Sequence, residues 1–452
     1  MKIFDFYKVS DASAEKLPQS EAEMTYRRLR SRTFWGAAVT YSLYYVCRMA
    51  LSVVKQPLID EGVLTAGELG VIGSAMLLIY AVGKFVNGFI ADYCNIRKFM
   101  ATGIIFSALI NLVLGALGLL SGFIAVPSFV MMLSFALLWG SNGWAQSMGS
   151  PPGVISLSRW FPKSERGTWY SIFCATPYVG EFITFNLLGL LVASLGWANC
   201  FIISSIIGAV GGAVALIFMS DTPESKGLPS IQDLSSEKTV AEDEKEVGIL
   251  HRELLRHPGI WVIALSSAFI YITKYAITGW GVLFLQKAKG FELSSATQIV
   301  AWSAAFGILG TVAAGWLSDR VFKGDRIMPA IISGVVGFLS LAAFLFLGGG
   351  YVMNILYVSL FSLAIGVLYC IVAGLMALDF VPRKATGAAL GIVGISSYVA
   401  ASLQDVTSGY LIQGFQGADG SYDFLPVSVF WLAAAALAFI LPVLNWKYLK
   451  KQ

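Results

Sequence analysis

Charge is scarce in this chain of 452 residues: Asp, Glu, Lys and Arg together make up 13% of it, about half the share found in an ordinary soluble protein. A water-soluble fold is excluded on that ground. Histidine is scarcer still, with two in the whole chain, His251 and His257. Five cysteines, at Cys47, Cys94, Cys174, Cys200 and Cys370, fall inside apolar stretches without paired spacing. That usage supports neither a zinc site nor a disulfide framework, and no metal or cofactor is expected. No Ser/His, metal or paired-carboxylate constellation marks an enzyme, and no phosphate-binding loop marks an ATP-driven pump. Nothing in the charge distribution suggests a nucleic-acid partner. About 33 mostly polar residues precede the first apolar run, with no small-residue cleavage site after it, so a secretory leader is not expected.

Apolar residues are what the chain has in excess: 57% of it is hydrophobic and the mean hydropathy is +0.73. A helix crosses a bilayer with about 20 such residues. Runs of that kind lie near 34–54, 68–91, 99–121, 124–147, 167–195, 197–219, 259–286, 295–318, 328–348, 351–379, 386–413 and 424–446. Twelve transmembrane helices are expected, and with them an all-α integral membrane protein in contact with the lipid bilayer. The expected division is an N-terminal segment at 1–33, a six-helix bundle at 34–219, a linker at 220–258, a second six-helix bundle at 259–446 and a tail at 447–452.

Basic residues collect on the cytoplasmic side of a membrane protein. Of the 31 Lys and Arg, 25 fall in the N-terminal segment, the connections after the even-numbered helices, and the tail; Lys55, Lys287 and Lys289 are assigned to the opposite side. Both termini are therefore expected to be cytoplasmic.

The two halves repeat. The string GFIAD at Gly88–Asp92, followed by Arg97 and Lys98, returns 227 residues later as GWLSD at Gly315–Asp319, followed by Arg320. A second echo links Pro162–Thr168 with Pro382–Gly387. Two parallel six-helix repeats resemble the major facilitator superfamily, whose substrate site lies near mid-membrane between the halves. Gly88, Asp92, Arg97, Gly315, Asp319 and Arg320 are read as a gate: glycine lets helices approach, and an acid at a helix end can pair with a nearby arginine. The alternative is an ordinary interfacial charge.

An ionised side chain at the centre of a span costs about 2.5–3.5 kcal/mol, so each needs a partner, a wet cavity or a task. Arg48, Lys84, Lys274, Glu181 and Asp405 qualify. Arg48 and Lys274 are 226 residues apart, nearly the repeat offset, and are expected to face one another across the central cavity. Two such cations suit a doubly charged anion, Arg as a planar fork and Lys as a point charge, and a phosphate ester fits. Tyr41 and Tyr45 precede Arg48, Tyr271 precedes Lys274 and Tyr80 precedes Lys84 at helical spacing, and Tyr398 lies in the eleventh helix; their hydroxyls can hold phosphate oxygens or a polyol, or their rings can simply pack. Glu181 and Asp405 can neutralise Lys84 or Lys274, or carry protons; ion pairing is the favoured reading.

The strings YSLYYVCR (Tyr41–Arg48), YAVGKF (Tyr80–Phe85), DTPESKGLP (Asp221–Pro229) and GWLSDRVFKGDR (Gly315–Arg326) resemble the organophosphate:phosphate antiporters, the glycerol-3-phosphate and hexose-phosphate transporters and their relatives. The resemblance covers nearly the whole chain. It implies that Arg48 and Lys274 bind the phosphate with Tyr41, Tyr45, Tyr80, Lys84, Tyr271 and Tyr398 nearby, and that the partners are an organic phosphate and inorganic phosphate. It also implies residence in a bacterial inner membrane. Lys274 is closer to the glucose-6-phosphate carriers, while Met49, Pro177, Gly279 and Ala304 depart from the family pattern and leave the attached sugar or polyol open. The alternative function is a sugar-phosphate sensor that reports to a membrane histidine kinase, since that family includes one.

Overall fold

Inside a bilayer the backbone finds no water, so apolar runs must close their hydrogen bonds internally as helices. The computed structural model describes residues 2–124, 126–229, 252, 254–323, 325–377, 386–417 and 421–444. A short helix α1 (Lys2–Tyr7) precedes the first half. That half comprises α2 (Gln19–Asp60), α3 (Ala66–Asp92), α4 (Ile96–Ser121), α5 (Ser128–Ser147), its extension α6 (Ser150–Trp160), α7 (Lys163–Ile183), α8 (Gly189–Leu195) and α9 (Trp197–Phe218). A π turn at Thr184–Leu188 joins α7 to α8. The second half comprises α10 (Pro258–Lys287), α11 (Leu293–Trp316), α12 (Ile327–Phe346), α13 (Tyr351–Leu368), α14 (Thr386–Gly414) and α15 (Leu425–Leu444). A π stretch at Tyr369–Met376 extends α13.

Among the described residues, eleven helices are long and apolar enough to cross a membrane, and α5 makes the twelfth crossing. Ser134, Ser141, Asn142 and Gln146 dilute the apolar character of α5, and two of them serve the interior. Asn142 accepts from the Ser107 hydroxyl at 2.6 Å, and Gln146 donates to Ser107 at 2.8 Å and to the Tyr44 carbonyl at 3.0 Å. Asn111 adds a bond to the Cys47 carbonyl at 3.3 Å. Interhelical bonds of this kind are worth about 0.6 kcal/mol each in a bilayer. Together they fix the backbone of α2 immediately before Arg48.

Helix α2 starts well before the apolar run at 34. Its polar first turns are held outside the bilayer by Tyr26, which donates to the Trp160 carbonyl at 2.8 Å, by an Arg30–Glu165 pair at 3.0 Å, and by Arg32, which donates to the Ile217 carbonyl at 2.6 Å. Twelve crossings return the chain to the face where α2 began, called here the termini face.

The halves meet along three helix pairs. Helix α3 crosses α14 so closely that a Cβ on Gly70 would stand 2.7 Å from the Asp405 carbonyl, and one on Gly409 2.5 Å from the Ala66 carbonyl; no larger residue fits without moving a backbone. Helix α7 packs on α11, where Tyr178 lies against Gly307. Helix α2 faces α10. The contacts that join the halves run from the level of Arg48 to the face away from the termini: Arg48 with Tyr275, Ser74 with Ser402, Gly67 with Gln413, Lys55 with Asp405 and Lys287 with Asp60. On the termini side of that level Lys84 and Tyr170 are exposed, so the site opens toward the termini.

Candidate functional site

The site is built around Arg48, which is 4% exposed although it is an arginine in mid-span. Its guanidinium lies 4.2 Å from the centre of the Tyr80 ring, 5.3 Å from Tyr45 and 5.9 Å from Tyr398. Aromatic faces attract a cation but do not neutralise it. One nitrogen, Nη2, donates to the Tyr275 hydroxyl at 3.0 Å, while Nε is buried without a hydrogen-bond partner. Among the described residues no carboxylate lies within ion-pair distance of Arg48, whereas seven other ion pairs are formed. A buried cation with an idle donor in an aromatic cage has the charge and the free N–H that an anion could use.

The tyrosines form one connected wall. Tyr80 and Tyr398 meet at 4.7 Å between ring centres, Tyr398 and Tyr271 at 5.2 Å, Tyr271 and Tyr275 at 6.1 Å, and Tyr271 and Tyr369 at 5.8 Å. Tyr41 stands one layer back, stacked on Phe173 at 5.2 Å and edge-on to Tyr45 at 5.6 Å. Lys84 is exposed and lies 5.3 Å from the Tyr398 ring.

Lys274 stands beside one of the two mid-span acids. Its ammonium lies 3.7 Å from the Glu181 carboxylate, 4.7 Å from the Tyr178 ring and 5.8 Å from the Tyr369 ring. Helix α7 is shaped for this. Pro177 has no N–H to offer the Phe173 carbonyl, and the Thr176 hydroxyl donates to that carbonyl at 2.7 Å instead. The helix then continues to present Tyr178 and Glu181, three residues apart on one face.

Asp405 does not reach Lys84 or Lys274. It accepts from Lys55 at 3.3 Å and from the Trp280 indole at 2.5 Å, and the Lys55 ammonium lies 3.4 Å from the centre of the Trp280 ring. Lys55 is 2% exposed, so it belongs to the buried interior of α2 and not to the outer connection. It sits seven residues beyond Arg48, two turns along the same helix face; that spacing was the available signal.

Tyr178, Tyr275 and Tyr369 are further site residues not singled out from sequence. Tyr178 lies one turn before Glu181, and that spacing to a mid-span acid was its signal. Of the residues expected to form a gate, Arg97 is part-buried with an Nε that has no partner among the described residues, and Arg320 is exposed. The side chains of Asp92 and Asp319 and the surroundings of Gly315 lie outside what is described. Among the described residues nothing stands within 4 Å of where a Gly88 Cβ would be, so close helix approach is made at Gly70 and Gly409 instead.

The Major Facilitator Superfamily profile matches residues 37–404. The chain is 30% identical over 446 residues to the glycerol-3-phosphate transporter of Bacillus subtilis, covering 96% of each chain. It is 32% identical over 439 residues to a probable hexose phosphate transport protein of Chlamydia muridarum, covering 93% of this chain and 92% of that one. Its backbone superposes with a TM-score of 0.72 on the crystal structure of a bacterial homolog of the human lysosomal transporter Spinster, at 16% identity over 93% of this chain and 97% of the other. With paired six-helix halves, a mid-membrane cation between them and matches of this extent, the chain belongs to the Major Facilitator Superfamily, in its organophosphate:phosphate antiporter family.

Proposed function

We propose that this protein is a secondary transporter that exchanges a sugar phosphate or glycerol phosphate for inorganic phosphate by alternating access. The observation that carries the reading is Arg48: a buried guanidinium with an unpartnered Nε and no carboxylate beside it among the described residues. An empty site of that kind is unfavourable, and a phosphate accepting two parallel N–H bonds relieves it. Lys274 is the second cation, with the Glu181 carboxylate 3.7 Å from its ammonium. The tyrosine wall supplies hydroxyls without adding charge.

The excess of basic residues on the termini face supports a cytoplasmic placement for both termini in a bacterial inner membrane, so the site opens to the cytoplasm. Opening the other way separates Lys55 from Asp405 and Lys287 from Asp60, and closes the halves around Lys84. The test is phosphate exchange by purified protein in liposomes loaded with inorganic phosphate. Wild type is expected to exchange, while Arg48→Ala and Lys274→Ala do not at equal protein level. Substantial exchange by Arg48→Ala contradicts the site, and absence of any exchange by wild type favours the sensor reading.

A further inference from the structure

Glu181 is an acid standing beside what should be an anion site, and it is incompletely served. The residue is 1% exposed and its Oε1 is buried without a hydrogen-bond partner. At 3.7 Å Lys274 balances its charge but is too far to satisfy it as a donor. The same carboxylate lines a narrow pocket, roomy enough for one water-sized group, between α7, α10, α11 and α13, whose walls carry Tyr178, Lys274, Thr278, Ser303 and Ser362. Three of those are aliphatic hydroxyls.

An ionised carboxylate only accepts hydrogen bonds, and an ammonium only donates them. A ligand group that completes both is one that donates and accepts at once, which is a hydroxyl. A second carboxylate does the opposite: it can pair with Lys274 only by standing against Glu181, and like charges in a dry site repel strongly. The pocket adjoins the phosphate anchor, because Lys274 faces Glu181 while its chain neighbour Tyr275 holds Arg48.

We propose that Glu181 and its pocket form a specificity subsite that receives one hydroxyl of the organic part of the substrate, favouring a hydroxyl-bearing, uncharged group and rejecting a carboxylated one. The subsite rests on the reading of Arg48 as phosphate anchor. Glu181 is here a residue that selects the substrate, and Lys274 serves both the phosphate and the subsite.

Thermal-stabilisation titrations of the purified full-length protein test this with four probes: inorganic phosphate, glycerol 3-phosphate, glucose 6-phosphate and 3-phosphoglycerate. Wild type is expected to bind both polyol phosphates more tightly than inorganic phosphate, and to bind 3-phosphoglycerate at least about tenfold more weakly than glycerol 3-phosphate. Glu181→Gln is expected to narrow that gap to about threefold or less, as the acid probe gains and the polyols lose, and to bind inorganic phosphate more tightly. An unchanged gap in Glu181→Gln overturns the subsite. So does a wild-type preference for 3-phosphoglycerate, a result that stands even if the variant fails to fold. Arg48→Ala separates the two readings: if it keeps inorganic phosphate binding while Glu181→Gln closes the gap, the anchor is wrong and the selecting role of Glu181 stands. If no probe stabilises the wild type, both are wrong.

Discussion

Arg48 Nη2 donates to the Tyr275 hydroxyl at 3.0 Å, and through that one bond the buried cation of the first half is tied to the second. Both sides of the contact come from the first helix of their half, α2 and α10. Any ligand held by Arg48 is thus held where the halves touch, which is what coupling of binding to rocking requires.

Replacing Arg48 separates its role as an anchor from its burden on the empty protein. Arg48→Met removes an unpaired buried cation, so the ligand-free protein is expected to be as stable as wild type or more so, while stabilisation by phosphate disappears. Arg48→Lys keeps the charge but loses the fork, and is expected to weaken phosphate binding about tenfold or more. Thermal melts with and without phosphate read out both. A large loss of stability in the ligand-free Met variant would show that Arg48 is a structural residue.

Lys55 and Asp405 are expected to behave as one unit. Asp405→Asn leaves Lys55 buried without a counter-ion, which costs about 3–5 kcal/mol and should lower the amount of folded protein. Lys55→Met together with Asp405→Leu is expected to recover most of that loss, so the double-mutant cycle is strongly non-additive. Because the pair joins the halves on the far side and carries no proton, exchange by whatever folded protein remains should not respond to an imposed pH gradient. Wild-type uptake driven by such a gradient, lost selectively in a well-folded Asp405→Asn, would make Asp405 a proton carrier.

Ser74 and Ser402 come from opposite halves with their hydroxyl oxygens 2.7 Å apart. Cysteines at both positions lie near enough to bridge. Oxidation of Ser74→Cys/Ser402→Cys is expected to hold the far side shut and abolish exchange, with recovery on reduction, measured against wild type carrying its five native cysteines. Full exchange by the oxidised, cross-linked protein would mean that α3 and α14 need not separate.

Gly409 is expected to tolerate no side chain. Ala there meets the Ala66 carbonyl, and overpacking of this kind costs about 1–3 kcal/mol. The readout is fluorophore labelling at a cysteine placed at Ser74, which should rise as the far side loosens. Unchanged labelling would place the closed contact elsewhere.

Much of this was legible in the sequence. The twelve crossings followed from apolar run length, which in a bilayer leaves the backbone no alternative to a helix. Arg48, Lys274 and Glu181 announced themselves because a charge in mid-span needs a reason. Partners were harder to read, since which acid meets which base depends on how helices from the two halves are rotated. Lys55 was lost for a related reason: it lies near a helix end, where a lysine usually reaches water, and its burial depends on Trp280 of α10 and Asp405 of α14 packing over it. Gly279 and Asp405 show the same limit. A Cβ on Gly279 would stand 3.9 Å from the Asp405 carboxylate, so α14 sets an acid against a position of α10 that has no side chain, a juxtaposition that motif comparison within one helix cannot see.

Equilibrium binding of radiolabelled inorganic phosphate to detergent-purified protein decides whether Arg48 is an anion site. Losing a charge-assisted bidentate contact in a buried site costs about 2–5 kcal/mol, so Arg48→Ala is expected to bind at least about thirtyfold more weakly than wild type while remaining folded. Binding by Arg48→Ala within about twofold of wild type would contradict the site.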